Sequence, residues 1–173
     1  MNLKEQLSVS SKKMIDELIQ SIKEDNSLLK ELFDIAYSEK GKESWRAVWA
    51  ISHLASSQSN LLMPYCKEII HKLPEFKNER HIGSFIHTLI KLNPDIEEIG
   101  LLFDICMEQL KKDKLSSYVK HYAFLMLEKI CIREPELFPE LILFLKEIEN
   151  TIESEHISHN IKKLYLKHKK THL

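Results

Sequence analysis

This chain has little glycine, proline or cysteine, and each shortage excludes a class of protein. Only 3 glycines and 5 prolines occur among 173 residues, which argues against long flexible linkers. The 3 cysteines, Cys66, Cys106 and Cys131, lie far apart and form no CxxC pair. Neither a disulfide framework nor a zinc site is therefore expected, and we predict buried, reduced thiols in a cytoplasmic protein.

Long apolar runs and an excess of either charge are also missing. No run approaches the roughly 20 apolar residues that cross a bilayer, and the opening "MNLKEQLSVSSKKMIDEL" has no apolar core of signal-peptide length. We therefore expect a cytoplasmic protein that does not interact with a membrane. Lys plus Arg number 25 and Asp plus Glu 26, so the net charge of −1 lacks the basic excess typical of phosphate-binding proteins.

Familiar catalytic and cofactor-binding motifs are absent too. The chain contains no GxGxxG, GxxxxGK[ST], HExxH or GxSxG pattern. In "EHISH", His156 and His159 share a helical face beside Glu155, but no third ligand stands at metal spacing. We predict no cofactor, no metal site and no catalytic residue. Whether the protein is an enzyme stays open, with the balance against it.

Helical periodicity is what the sequence does contain. Strand signals are almost absent, whereas apolar residues recur at i, i+3, i+4 and i+7. Such stripes begin at residues 15, 29, 47, 62, 82, 99, 119, 138 and 157. Stripes of alternate helices follow one another at intervals of 33 to 39 residues, the period of stacked antiparallel helix pairs.

This period predicts an all-α fold. We expect a right-handed α-solenoid that forms a single domain over residues 1–173. It would contain an N-terminal capping helix and about four antiparallel helix pairs. The capping helix is expected at about 10–24 and the pairs at about 27–57, 60–92, 94–132 and 135–170.

Several segments resemble a known family of helical repeats. "SWRAVWAISHLA", "LFPELILFLKEI" and "ERHIGSFIHTLIKL" look like helices of HEAT or armadillo repeats, and the resemblance covers about residues 27–170. It implies that the second helix of each pair, at about 44–57, 79–92, 116–132 and 154–170, lines a concave partner-binding surface. The candidate binding residues on these helices are Trp45, Arg46, Trp49, His53, Arg80, His81, His87, Lys120 and His121.

The only two tryptophans, Trp45 and Trp49, lie opposite the apolar stripe of their own helix at about 100° per residue. A helix that is apolar on two faces is normally buried, which predicts packing between repeats. The alternative is an exposed aromatic shelf beside Arg46 that stacks a base or grips a peptide.

Charge is divided near the C-terminal end. Seven glutamates and one lysine occupy residues 134–155, and five lysines follow without any acid, namely Lys162, Lys163, Lys167, Lys169 and Lys170. The acidic and basic helices could pair with each other. Alternatively, the basic patch docks an acidic protein or a nucleic acid.

Two functions fit these observations. The first is a non-catalytic scaffold that binds a protein or peptide on its concave face, as a monomer or weak dimer. The second is a nucleic-acid-binding or DNA base-repair protein related to the HEAT-like alkylpurine DNA glycosylases. That resemblance implies a catalytic Asp in the cleft, yet the four second helices contain none. The near-neutral charge also favours the first function.

Overall fold

The structure is a computed structural model that describes residues 2–9, 11–95, 97–151 and 155–171, leaving out the side chains of residues 151, 156 and 167–171. Within these ranges the chain contains α-helices and short 3-10 turns and no strand, so the all-α prediction is confirmed. Internal contacts divide the chain into two compact units, Met1–Glu98 (the N-terminal unit) and Ile99–Leu173 (the C-terminal unit). A single domain over residues 1–173 stays a prediction.

The N-terminal unit contains seven α-helices among its described residues. They are α1 Leu3–Leu7, α2 Lys12–Glu24, α3 Leu28–Tyr37, α4 Gly41–Ser57, α5 Ser59–Leu62, α6 Cys66–Lys72 and α7 Glu79–Leu92. Two 3-10 turns, Met63–Tyr65 and Leu73–Glu75, flank α6.

The described part of the C-terminal unit contains four α-helices. They are α8 Ile99–Lys111, α9 Ser117–Arg133, α10 Phe138–Ile148 and α11 Glu155–Thr171. The 3-10 turns Pro135–Leu137 and Glu149–Thr151 come before and after α10. Helix α9 packs against α8, while α10 contacts α8 and α11 contacts α9.

The observed helices differ from the expected bounds at two places. No helix was predicted before residue 10, yet α1 lies there and contacts α2, α3 and α4. The helix expected from residue 60 is also interrupted, at Met63–Tyr65. Pro64 occupies the start of that 3-10 turn, because a proline has no N–H to donate to the preceding turn of an α-helix.

Short polar side chains fix where several helices begin. The Asn2 side chain accepts a hydrogen bond from the backbone N–H of Lys4 at 3.1 Å, and Asn78 accepts one from Arg80 at 2.9 Å. The Ser11 hydroxyl accepts from Met14 at 3.0 Å. Each bond satisfies an N–H that has no partner inside its own helix.

Aromatic side chains form the core between α3, α7 and the turns that connect them. Phe33 stacks on Tyr65 with 4.3 Å between ring centroids, and Phe85 stacks on Phe76 at 5.2 Å. Tyr37 joins the two stacks, at 5.5 Å from Phe33 and 5.7 Å from Phe85. This aromatic cluster therefore connects α3, the first helix of the first predicted pair, with the pair that follows.

The three cysteines are buried and unpaired, as predicted. Burial raises the pKa of the Cys66 thiol to about 11 and that of Cys131 to about 12, and it also raises the pKa of Cys106. All three thiols are therefore protonated at neutral pH and act as small apolar side chains.

Several long-range hydrogen bonds within the N-terminal unit span a nearly constant distance in sequence. They connect residues that are 38 or 39 positions apart: Arg46 with Leu7 and Ser8, Glu39 with Lys77 and Asn78, and Lys91 with Ser52. This span is close to one repeat period, so each bond fastens one layer of helices to the next.

Candidate functional site

Helix α4 has no fully exposed side chain between residues 43 and 55. Its predicted stripe of Ala47, Ala50, Ile51 and Leu54 is buried, and α4 contacts α1, α2, α3 and α7. Trp45 and Trp49, on the opposite side, are half-buried. The sequence allowed either buried packing between repeats or an exposed aromatic shelf. The structure lies between these interpretations, because each tryptophan is packed on one side and partly exposed on the other.

Trp45, Trp49 and His53 form an aromatic ladder, one helical turn apart along α4. The Trp45 and Trp49 rings are tilted by 33° with centroids 6.3 Å apart. The His53 ring meets Trp49 edge-on at 5.3 Å and 80°. Edge-to-face and tilted contacts are the favoured geometries for such rings, so the ladder is a preformed aromatic surface.

An open groove lies beside the His53 end of this ladder. It measures about 380 Å³ and runs between α2 and α4. Its lining, which defines the α2–α4 groove, consists of Asp16, Ile19, Gln20, Lys23, His53, Ser56 and Ser57. The four residues from α2 were not predicted, because the sequence suggested only a capping role for this helix.

Partial burial, helped by nearby positive charge, keeps the His53 imidazole mostly neutral at pH 7 by lowering its pKa. Partial burial lowers the pKa of His53, the Lys91 ammonium lowers it further, and Asp16 opposes the shift. Lys91 is held nearby, since its Nζ donates to the Ser52 carbonyl at 2.8 Å and to the Ser52 hydroxyl at 3.1 Å. His53 can therefore donate one hydrogen bond and accept another.

Arg46 was predicted to contact a partner, but in the structure its guanidinium binds the end of α1. Its Nη1 donates to the carbonyl of Leu7 at 2.8 Å and also to that of Ser8, the last carbonyls of α1. The guanidinium also lies 5.7 Å from the centre of the Trp45 ring. Arg46 thus anchors α1 by satisfying carbonyls that end a helix.

His81 was also predicted to lie on the binding face, but its side chain is buried and therefore cannot contact a partner there. Its side chain is 0% exposed, and neither imidazole nitrogen has a hydrogen-bond partner among the described residues. The ring faces Phe76, the Ala36 carbonyl and Glu39. Burial lowers the pKa of His81, and the carboxylate and the carbonyl oppose that shift without reversing it.

The buried imidazole predicts acid sensitivity. Because the native pKa of His81 lies below its ordinary 6.5, the unfolded chain binds the proton more tightly, and stability falls as the pH drops below about 6.5. Urea unfolding at about pH 7.5 and about pH 5.5 should therefore reveal a smaller loss in His81→Phe than in the unaltered chain. The matched control is His71→Phe, because His71 is exposed. Equal losses of unfolding free energy in the unaltered chain, His81→Phe and His71→Phe would contradict the role assigned to His81.

The remaining candidates on α7 and α9 differ in exposure. Arg80 is exposed, whereas His87 and His121 are half-buried and engaged in contacts. Lys120 was expected on the binding face, yet its side chain is only 7% exposed and belongs to the buried side of α9. Lys120 therefore cannot line an open surface.

The basic patch is only partly described. Lys162 and Lys163 are exposed on α11, and the side chains of Lys167, Lys169 and Lys170 lie outside the described residues. Within the described part of the chain, neither Lys162 nor Lys163 forms an ion pair with the glutamates of α10. The predicted pairing of the acidic and basic helices therefore has no ion pair to support it here.

A larger groove of about 860 Å³ opens at α1, α3 and the turn into α4. Charged side chains dominate its lining: Lys4, Glu5, Glu31, Asp34, Lys40 and Glu43. No aromatic residue lines it, and Lys30 pairs with Asp34 at 2.8 Å on the same helix. Despite its size, this groove offers a solvated charged surface with few features that select a ligand.

The described residues contain no group of three or more His, Cys, Asp or Glu side chains placed to hold a metal ion. In the same part of the chain, no helix combines the length and the apolar character needed to cross a membrane.

A family model of the HEAT repeat domain matches residues 3–168, nearly the whole chain. The chain belongs to the HEAT repeat domain family. A search of curated proteins and a search of solved structures each found no match.

In this HEAT repeat protein, superposing the repeat stripes places Arg46, His81 and Lys120 at related positions of their helices. Arg46 and His81 both precede the first apolar residue of their stripe, and both face the helix end of the preceding layer. Lys120 falls where α4 has Val48 and α7 has Gly83, which are both buried. Aligning the repeats with one another was therefore the signal that could have excluded Lys120 from the site. His81 gave no such signal, because its equivalent on α9 is Tyr118, which is 42% exposed.

Proposed function

We propose that this HEAT repeat chain is a non-catalytic scaffold that binds a protein or peptide partner along the aromatic ladder and the α2–α4 groove. The partial exposure of Trp45 and Trp49 carries the proposal, because these large rings stay half-exposed on a helix that five other helices contact. Aromatic side chains supply much of the binding energy of protein interfaces, and they lose little conformational entropy on binding.

The groove supplies polar groups that suit a peptide main chain. Asp16 and Gln20 can accept from backbone N–H groups, while Lys23, Ser56 and Ser57 can donate to carbonyls. Asp16 and Lys23 also balance each other in charge. A neutral lining next to aromatic rings favours a peptide over a polyanion, which would require a basic excess.

The proposal also includes the arrangement of the helices and the cellular compartment that the sequence predicts. We infer a right-handed stack of helix pairs whose second helices form the binding face, with α2, α4 and α7 contributing from the N-terminal unit. A cytoplasmic location is part of the proposal, supported by three unpaired cysteines that suit a reducing compartment.

Peptide selection tests the binding face directly. We expect peptides selected from a random display library to bind the purified chain and to change its tryptophan fluorescence, since both tryptophans lie in the ladder. Ser56→Arg places a bulky side chain on the groove lining and should weaken these peptides by about tenfold or more, equivalent to about 1.4 kcal/mol.

The matched control is Ser59→Arg, at another exposed serine that lies outside the groove lining, and it should leave binding unchanged. Peptides that bind both variants as tightly as the unaltered chain would place the site elsewhere. Binding to DNA at about 50 mM salt in place of peptides would instead favour the nucleic-acid hypothesis.

A further inference from the structure

Two leucines of the C-terminal unit are largely exposed. Leu143 on α10 is 63% exposed and Leu166 on α11 is 62% exposed. Both helices already bury a separate apolar face, formed by Leu141, Phe144 and Leu145 on α10 and by Ile157, Ile161 and Leu164 on α11. The exposed leucines are therefore additional to the core and stand alone on the outer sides of their helices.

Leu143 lies at the centre of an acidic stripe. Glu140 precedes it by three residues and Glu147 follows it by four, so all three side chains share one helical face. All three are exposed, as is Glu136 in the preceding 3-10 turn. Lys146 is the one exposed base within α10, and it stands beside this acidic stripe.

Leu166 lies next to a basic stripe on α11. Lys162 and Lys163 precede it by four and three residues, the spacings that place side chains on a common face. Both lysines are exposed, and His159 extends the same face by one further turn. An exposed leucine thus accompanies positive charge on α11, just as one accompanies negative charge on α10.

Neither stripe is satisfied within the described residues. Glu140, Glu147, Lys162 and Lys163 form no ion pair or hydrogen bond with any other described side chain. One chain therefore presents two surfaces of opposite charge, each with an exposed leucine at matching helical spacing.

We propose that a second copy of this chain docks on these two stripes. The acidic stripe of each copy meets the basic stripe of the other, with Leu143 against Leu166, around a two-fold axis. A two-fold arrangement uses both stripes of both copies and closes the assembly at a dimer. Charge complementarity sets the register, and the two leucine contacts exclude water from its centre.

Sedimentation velocity of the 173-residue chain tests the dimer. We expect a reversible monomer–dimer equilibrium between about 10 and about 500 µM protein at about 50 mM salt. The dissociation constant should rise by about tenfold or more at about 500 mM salt, because exposed charge pairs are screened. A monomer over the whole concentration range at low salt would overturn the proposal.

A charge exchange makes the test specific to these stripes. The variants K162E/K163E and E140K/E147K should each weaken self-association by about tenfold or more, because each brings like charges together. An equimolar mixture of the two variants should restore the dimer, since one then presents only acidic stripes and the other only basic ones. The control K12E/K13E reverses two adjacent exposed lysines of α2 and should dimerise like the unaltered chain. Variants that still dimerise alone, or a mixture that stays monomeric, would overturn the assignment.

Discussion

Phe85→Ala is expected to lower the free energy of unfolding by about 3 to 5 kcal/mol, the largest single effect among the substitutions considered. Phe85 is 0% exposed and stacks on Phe76 at 5.2 Å. Removing the ring leaves a cavity, and Tyr37 loses its contact with the Phe85 ring, whose centroid lies 5.7 Å from its own. Such a loss is a large fraction of the stability of an ordinary domain, and urea unfolding followed by circular dichroism measures it.

An exposed aromatic residue provides the comparison for Phe85. Tyr118 is 42% exposed, so Tyr118→Ala should cost about 1 kcal/mol or less. Equal losses for the two variants would mean that the aromatic cluster is not the stabilising core of the N-terminal unit.

Arg46→Ala is expected to cost about 2 to 3 kcal/mol and to release α1. Its guanidinium donates to the carbonyls of Leu7 and Ser8, and hydrogen bonds from charged groups contribute about 1.5 to 3 kcal/mol each. Helix α1 has five residues, too few to persist without tertiary contacts. Hydrogen exchange should therefore accelerate at the amides of residues 5–8 more than elsewhere in the N-terminal unit.

The same substitution at Arg80 is the control for Arg46. Arg80 is exposed, so Arg80→Ala should change stability by about 0.5 kcal/mol or less and leave exchange in α1 unaltered. Arg46→Lys should restore part of the loss, since an ammonium can still donate but has no planar pair of donors. Unchanged protection of α1 in Arg46→Ala would show that the arginine does not anchor it.

The helical stripes predicted the longer helices well because burial imposes the 3.6-residue period on the sequence. The second helix expected at about 44–57 is Gly41–Ser57, and the one expected at 79–92 has those same bounds. Helix α1 escaped notice because only Leu3 and Leu7 are buried, too few for a stripe of four. It is joined to α4 by Arg46, whose hydrogen bond to Leu7 spans 39 residues and is revealed by no local pattern.

The candidate site was predicted in part. Trp45, Trp49 and His53 do come together, since their spacing of four residues places them on one helical face. The contribution of Asp16 and Lys23 depends on how α2 packs against α4, which is a tertiary choice. Likewise, the burial of His81 results from the turn that follows α3, where Glu39 adopts a φ of 51° and binds the backbone of Lys77 and Asn78.

The constant span of the bonds between helix layers also determines how the N-terminal unit should respond to mechanical load. Each of these bonds joins residues that are only 38 or 39 positions apart, so none of them connects the first helix directly with the last. A force applied to α1 therefore acts on the Arg46 contacts before it acts on those of Glu39. The Lys91 contact is loaded last. Stretching from this end should therefore extend the unit in successive steps, one layer at a time, and not in a single rupture.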